Sequence, residues 1–236
     1  MQRLRIHYAK RGRLRFTSHR DFSRAFERAV FRARIPMAYS SGFNPHPRIS
    51  YMGAAPMGSA SEAEYVEIAL AEVVDAASAH ADIDEALPEG LDVIEVVPSA
   101  GGSLADLLEG SWWRITLHGP SVEETGDAVS ALLSTEEVIV ERMTKKGRRS
   151  FDARAAIVSL VVSDPPSEMG SCAILDVVLR HGSPSVRPDD VLAALHEISG
   201  LSVTAALQQR LAQGPLDHED GTVGDPLTPD RDAAGQ

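Results

Sequence analysis

The sequence predicts an α+β protein in which two halves repeat the same order of elements. Three observations lead to this class: a strand-like alternation at the N-terminus, an amphipathic helix after it, and a second copy of both patterns in the C-terminal half. The order β-α-β-β-α-β is that of the ferredoxin-like unit. We therefore expect two tandem ferredoxin-like units at 1–98 and 112–211, a linker at 99–111 and a disordered acidic tail at 212–236.

The chain begins with a predicted half-buried strand, because Leu4, Ile6 and Tyr8 alternate with polar residues. A turn and a short second alternation at 14–16 follow. The remaining elements of the first half are predicted as a strand at 48–52, a strand at 64–70, a helix at 75–87 and a strand at 91–97.

The first helix has the clearest pattern in the chain. Ser18 is typical of a helix N-cap, with Asp21 three residues later, and Pro36 ends the helix near Arg34. Apolar residues recur at helical spacing and predict a buried stripe, which consists of Phe22, Ala25, Phe26, Ala29, Val30 and Ala33.

The second half repeats this order around a basic turn at 145–149. Helices are predicted at 122–133 and at 188–198, where a proline begins the second helix and Gly200 ends it. The strands are predicted at 112–117, 137–143, 155–162, 173–179 and 203–211.

Charge is unevenly distributed along the chain. Residues 1–52 hold twelve of the 23 basic and two of the 34 acidic residues, a formal charge of +10. The remaining residues have a formal charge of −21, and the formal net charge of the whole chain is −11. A dense cluster of like charge repels itself, and a polyanion relieves that repulsion, so an anionic partner is expected.

The composition narrows the class of protein further. No apolar run approaches the roughly 20 residues needed to span a bilayer, and we expect no membrane partner. The single cysteine, Cys172, forms no internal disulfide and is expected to pack as a small hydrophobe in a cytoplasmic protein. No phosphate loop, nucleophile elbow or zinc motif is present, so no metal and no cofactor is predicted.

Two features of the basic segment point to nucleic acid. The first helix has arginines at four-residue spacing, which lie on the face opposite the apolar stripe. The segment 39–51 mixes turn residues, aromatics and cations, as single-stranded RNA requires for base stacking and phosphate contact. The predicted nucleic-acid-binding residues are Arg13, Arg15, Arg20, Arg24, Arg28, Arg32, Phe43, His46, Arg48 and Tyr51. For Phe43 and Tyr51, packing on the core is the alternative.

The start of the first helix is a candidate anion site. Unpaired N–H groups at a helix N-terminus attract anions, and His19 adds a titratable donor beside Ser18. The alternative is that Ser18 only caps the helix and that His19 is a surface residue.

Several long motifs resemble one known family. They are the runs GRLRFTSHRD at 12–21, SGFNPHPRIS at 41–50 and GSASEAEY at 58–65. The chain is similar to the radical-SAM-associated (radical-SAM-linked) domain of unknown function, in its stand-alone bacterial form. That domain also occurs fused behind cobalamin-binding radical SAM proteins. The resemblance implies a radical SAM enzyme as a partner in trans, since the chain lacks the three-cysteine motif of such an enzyme.

The leading hypothesis is an RNA-binding accessory module that presents a structured RNA, tRNA or rRNA, to a radical SAM modifying enzyme. The alternative is a metal-independent endoribonuclease, since the element order is also similar to the tandem ferredoxin-like endonucleases that process CRISPR repeats. It would use His19 or His46 as general acid or base, with Tyr39 or Lys10 assisting and Arg28 stabilising the phosphate. A small-anion or cofactor pocket at the helix start is the third possibility.

Overall fold

The computed structural model describes residues 1–144, 147–165 and 172–235. These residues form ten β-strands and five α-helices. The helices are α1 (His19–Arg32), α2 (Ala76–Ala86), α3 (Val122–Leu133), α4 (Pro188–Ser199) and α5 (Thr228–Ala234). The strands are β1 (Arg3–Lys10), β2 (Ile49–Met52), β3 (Ala60–Ala69), β4 (Val93–Pro98), β5 (Gly110–His118), β6 (Ile139–Thr144), β7 (Gly147–Asp152), β8 (Ile157–Ser163), β9 (Cys172–Arg180) and β10 (Ala205–Gly214).

The chain divides into two compact units. The first unit is Met1–Leu108 together with the C-terminal residues from Asp225, and the second is Glu109–Gly224. The predicted linker at 99–111 is therefore not a separate connecting segment, because its residues belong to the two units. Leu104 and Leu108 are buried in the first unit, and β5 of the second unit already begins at Gly110.

The first unit contains a mixed α+β arrangement with antiparallel strands in the order β4-β1-β3-β2. Helices α1 and α2 contribute their apolar stripes to a core that includes Leu4 and Ile6 of β1 and Phe26 of α1. Residues Gly12–Phe16 are a 3-10 helix, so the prediction of a second strand-like alternation there is wrong. Three residues of alternation are too few to distinguish a strand from a single tight turn.

The prediction of a disordered tail from residue 212 is wrong. Strand β10 continues to Gly214, and α5 belongs to the first unit. Leu227 is fully buried beside Tyr65 and Val97, and the equally buried Asp230 pairs with Arg5 of β1. The polar composition of this segment did not predict its packing. The contacts that hold α5 involve few residues: the buried Leu227, the Asp230–Arg5 ion pair and the Arg231–Glu95 ion pair.

The second unit repeats the antiparallel order as β10-β5-β9-β8. Strands β6 and β7 form a separate hairpin between α3 and β8. Two residues of the predicted basic turn, 145 and 146, lie outside the described residues. Cys172 is buried in β9, as predicted, and Gly200 ends α4 in a left-handed conformation. Across the described residues, no helix is long and apolar enough to cross a membrane.

Candidate functional site

The local sequence of α1 explains how the helix begins. The side chain of Ser18 accepts a hydrogen bond from the backbone N–H of Asp21 at 3.2 Å and donates one to its carboxylate at 2.6 Å. The predicted cap is therefore confirmed. The carboxylate of Asp21 lies in the first turn beside Ser18, and the anion site at Ser18 and His19 stays a prediction.

The other end of α1 has a less expected conformation. Arg34 has φ of 54°, the left-handed region in which glycine is favoured. Its N–H donates to the carbonyl of Phe31 at 3.1 Å, and the N–H of Ile35 donates to Val30 at 3.0 Å. These two bonds are those of a Schellman motif, in which the left-handed position is usually glycine. An arginine there places a long cation at the helix end at a cost in backbone energy.

The C-terminal half of α1 and the segment after it enclose a groove of about 1230 Å³. We call this concavity the arginine groove. Its cationic lining consists of Arg24, Arg28, Arg32 and Arg34. Its apolar lining consists of Ala25, Val30, Phe31, Ile35, Pro36, Met37, Tyr39, Pro47 and Pro88.

Two aromatic side chains of the groove are exposed. Phe31 is 79% exposed and Tyr39 is 55% exposed. The backbone around Tyr39 is held in place, since Tyr39 and Pro47 form a β-bridge and the neighbouring Ala38 accepts a hydrogen bond from the Arg48 N–H at 2.8 Å. The groove therefore presents at least one ring on a fixed backbone beside the cationic rim.

The electrostatics of the groove favour an anion. Among the described residues, Arg24, Arg28 and Arg34 have no acidic partner, and Arg32 donates to the backbone carbonyl of Ala86. Glu27 is the one acid in the lining. Unpaired guanidinium groups retain their full capacity to bind phosphate, which they contact with two parallel hydrogen bonds.

Other arginines of the same unit are already neutralised. Arg11 donates to Glu62 and lies 2.8 Å from Asp92, and the hydrogen bond to Glu62 raises the pKa of Arg11 above its ordinary value. Arg5 is buried between Glu67 and Asp230. Among the described residues, the ion pairs of the N-terminal segment therefore leave the arginines of α1 and Arg34 without an acidic partner, together with Arg13, Arg15 and Arg48 outside the helix.

The structure separates the predicted nucleic-acid-binding residues into two groups. Arg24, Arg28 and Arg32 line the groove, as described above. The others lie outside its lining: Arg13, Arg15, Arg20, Phe43, His46, Arg48 and Tyr51. Arg15 lies over the ring of Phe16 at 4.8 Å, Arg48 contacts the sulfur of Met1 at 3.5 Å, and Phe43 is fully exposed on a loop.

Tyr51 packs on α1. Its hydroxyl donates to the carbonyl of Ser23 at 3.4 Å, and its ring meets Phe22 edge-on at 5.8 Å. Burial raises the pKa of Tyr51 to about 12. This arrangement corresponds to the packing alternative, in which the ring covers the core and is not free to stack on a base.

The residues of the nuclease hypothesis are not brought together in the groove. His19 contacts Ser23 at 3.0 Å and meets Tyr51 edge-on, while His46 donates its backbone N–H to the Ser40 hydroxyl. Only Tyr39 and Arg28 line the groove. The ammonium group of Lys10 is buried and donates to the carbonyls of Ala55 and Pro56, so the predicted assisting role of Lys10 is wrong.

Sequence reasoning missed three groove residues. Arg34 was predicted only to end the helix, and Tyr39 was considered only as an assisting group of the nuclease hypothesis. Phe31 was not considered, because it lies outside the predicted apolar stripe. A usable signal was present, since Phe31 is a large apolar residue on the polar face of an amphipathic helix. In the described part of the chain, no cluster of three or more His, Cys, Asp or Glu is placed to hold a metal.

We predict that Arg34→Gly stabilises the first unit while weakening ligand binding. Glycine removes the cost of the left-handed conformation, so the free energy of unfolding should rise by up to about 1 kcal/mol. Native-state hydrogen exchange of the β1 and β3 amides measures the stability of this unit, because both strands lie in it. Ala33→Gly is the control: Ala33 has φ of −69°, so glycine should destabilise there, and a loss of stability in Arg34→Gly would contradict the prediction.

Fold and site together define an α+β protein of two units, the first of which contains an arginine-lined groove. The chain belongs to the family described as "Uncharacterized protein conserved in bacteria (DUF2344)", whose model matches residues 3–188. No curated protein matches the chain.

A comparison with solved structures gives distant similarities. A chain from the structure titled "Crystal Structure of a Cbf5-Nop10-Gar1 Complex" aligns over 92% of this chain, with 10% sequence identity and a TM-score of 0.49. The aligned region spans half of the length of that chain, 50%.

Proposed function

We propose that this protein binds RNA through the arginine groove and acts as an accessory module rather than as an enzyme on its own. The observation that carries the proposal is the coincidence of unpaired arginines and exposed aromatic rings in one concave surface. Arg24, Arg28 and Arg34 supply the cations, and Phe31 and Tyr39 supply the rings. Proteins that bind RNA combine these two kinds of contact.

The proposed partner enzyme comes from the sequence resemblance. The motifs at 12–21, 41–50 and 58–65 are similar to those of the radical-SAM-associated domain. We infer that the module holds a structured RNA, tRNA or rRNA, for a radical SAM modifying enzyme that acts in trans. Apart from Pro88, the groove lining follows the first of these motifs along the chain and ends at Pro47, within the second.

We also infer that each unit is a ferredoxin-like unit, with the β6–β7 hairpin as an insertion in the second. The support is the element order and the antiparallel pairing of each unit, in which the first strand lies between the fourth and the third. This fold serves many functions, so the function is argued from the groove and not from the fold.

The test is the affinity of the full chain for RNA at increasing salt. Each phosphate neutralised on a single strand contributes a slope of roughly −0.7 to log K against log salt, so three arginines predict about −2. Fluorescence anisotropy of labelled tRNA measures this slope. Absence of binding, or binding that does not change with salt, would contradict the proposal.

The same samples test the nuclease alternative. In EDTA, the RNA should remain intact, because the two histidines of that hypothesis lie outside the groove lining. Metal-independent cleavage that His46→Ala or His19→Ala abolishes, with RNA binding retained, would replace the accessory function by an enzymatic one.

A further inference from the structure

The lining of the arginine groove is only partly cationic. Apolar side chains form much of it, and the exposed rings of Phe31 and Tyr39 lie among them. A phosphate track on a duplex needs cations alone, since the bases of a duplex are stacked inside and present only their edges. Exposed rings beside cations can stack only on bases whose faces are accessible, as they are in unpaired RNA.

The size of the groove also restricts its ligand. Sites for one small molecule have volumes of about 300–1000 Å³. The arginine groove, at about 1230 Å³, exceeds this range. Its arginines follow one another along α1 from Arg24 to Arg34, so they are arranged to contact successive phosphates rather than a single one.

We propose that the groove takes an unpaired stretch of RNA, with bases stacked on Tyr39 and Phe31 and successive phosphates bound by Arg24, Arg28 and Arg34. This inference rests on the proposed function and specifies the part of the RNA that is recognised: a loop, a bulge or a single-stranded end. The fixed backbone around Tyr39 favours such binding, because a ring that is already in position loses little freedom when a base stacks on it.

The experiment compares two probes of the same sequence. The probes are a short single-stranded RNA of mixed sequence and the blunt duplex that it forms with its complement. We expect the full chain to bind the single strand at least tenfold more tightly than the duplex. Phe31→Ala and Tyr39→Ala should each weaken single-strand binding roughly 5- to 100-fold, the range for loss of one stacking platform, and should leave the salt slope unchanged.

Two further variants separate stacking from other effects. Tyr39→Phe keeps the ring and should retain single-strand affinity, whereas Tyr39→Leu keeps an apolar side chain without a ring and should lose it. Phe16→Ala is the matched control, since Phe16 is an exposed ring of the first unit outside the groove lining and has no assigned binding role.

The outcomes distinguish this inference from the proposed function. Salt-dependent binding of single strand and duplex with equal affinity, insensitive to Phe31→Ala and Tyr39→Ala, would overturn the inference and leave RNA binding in place. A loss with Phe16→Ala but not with the groove variants would also overturn it. Absence of binding to either probe would overturn both proposals.

Discussion

The double variant Arg24→Glu/Arg28→Glu is expected to bind RNA about 100-fold more weakly than the unmodified chain at moderate salt. Each arginine supplies a charge-assisted hydrogen bond to phosphate, worth about 1.5–3 kcal/mol, so two such losses correspond to at least two orders of magnitude in affinity. The glutamates add repulsion of the phosphates. The salt slope should become shallower by about 1.4, because two phosphate contacts are lost.

The fold of this variant should be retained. Both arginines are exposed and have no acidic partner among the residues that the structure describes. They lie at four-residue spacing on α1, where like charges repel by a few tenths of a kcal/mol, roughly 0.2–0.5 for each pair. The far-UV circular dichroism spectrum should therefore be unchanged.

The matched control places the same change in charge in the second unit. Arg149→Glu/Arg180→Glu also reverses two exposed arginines, in β7 and β9. We expect this variant to bind RNA within about threefold of the unmodified chain, since neither arginine belongs to the groove lining and exposed charges are screened at physiological salt. Equal losses in the two double variants would indicate a general charge effect and would contradict a specific role for the groove.

The features that sequence analysis predicted well are those that depend on near neighbours. The boundaries of α1 follow from Ser18 and Pro36, and its buried face follows from the spacing of Phe22, Phe26 and Val30. The arginines on the opposite face follow from the same period. Capping and helical periodicity act within a few residues, so the local sequence contains the information that is needed to predict them.

The features that were missed depend on contacts between distant parts of the chain. Arg5 alternates with apolar residues and was expected at the surface, but the C-terminal helix covers it. The sequence allowed Lys10 as an assisting catalytic group. In the structure its ammonium group is buried and donates hydrogen bonds to the carbonyls of Ala55 and Pro56. No local pattern predicts which segment will return to cover a given strand.

Sequence analysis also missed part of the groove lining, because that lining depends on contacts between separate segments of the chain. Tyr39 and Pro47 join the arginines of α1 only because the segment after Pro36 runs back along the helix. The conformation of Arg34 is a further case, because the left-handed position at a helix end is usually glycine and here it is an arginine. The residue type therefore gave no signal of this conformation.

Asp230→Ala is expected to destabilise the first unit by about 3–5 kcal/mol, the usual cost of removing one partner of a buried ion pair. The Asp230 carboxylate lies 2.8 Å from the Arg5 guanidinium, and both side chains are at most 1% exposed. Asp230 also accepts a hydrogen bond from the backbone N–H of Ala100 at 2.7 Å. Its removal leaves the Arg5 cation buried with Glu67 as the one remaining acidic partner among the described residues.

The measurement follows the two units separately. Both tryptophans lie in the second unit, so tryptophan fluorescence reports on that unit, and hydrogen exchange of the β1 and β3 amides reports on the first. Asp230→Ala should strongly accelerate exchange of the β1 and β3 amides and should change unfolding detected by tryptophan fluorescence far less. Asp232→Ala removes an exposed carboxylate from the same helix and should have almost no effect.

A second variant tests whether the loss comes from the uncompensated charge. Arg5→Met/Asp230→Leu replaces the pair by apolar side chains and should recover much of the stability, since the main cost of Asp230→Ala is the unpaired guanidinium rather than the lost attraction. If Asp230→Ala unfolds within about 0.5 kcal/mol of the unmodified chain, the range of ordinary surface substitutions, the C-terminal helix does not hold the first unit together. If Asp230→Ala greatly lowers the stability and Arg5→Met/Asp230→Leu recovers it, the last residues of the chain are an integral part of the first unit.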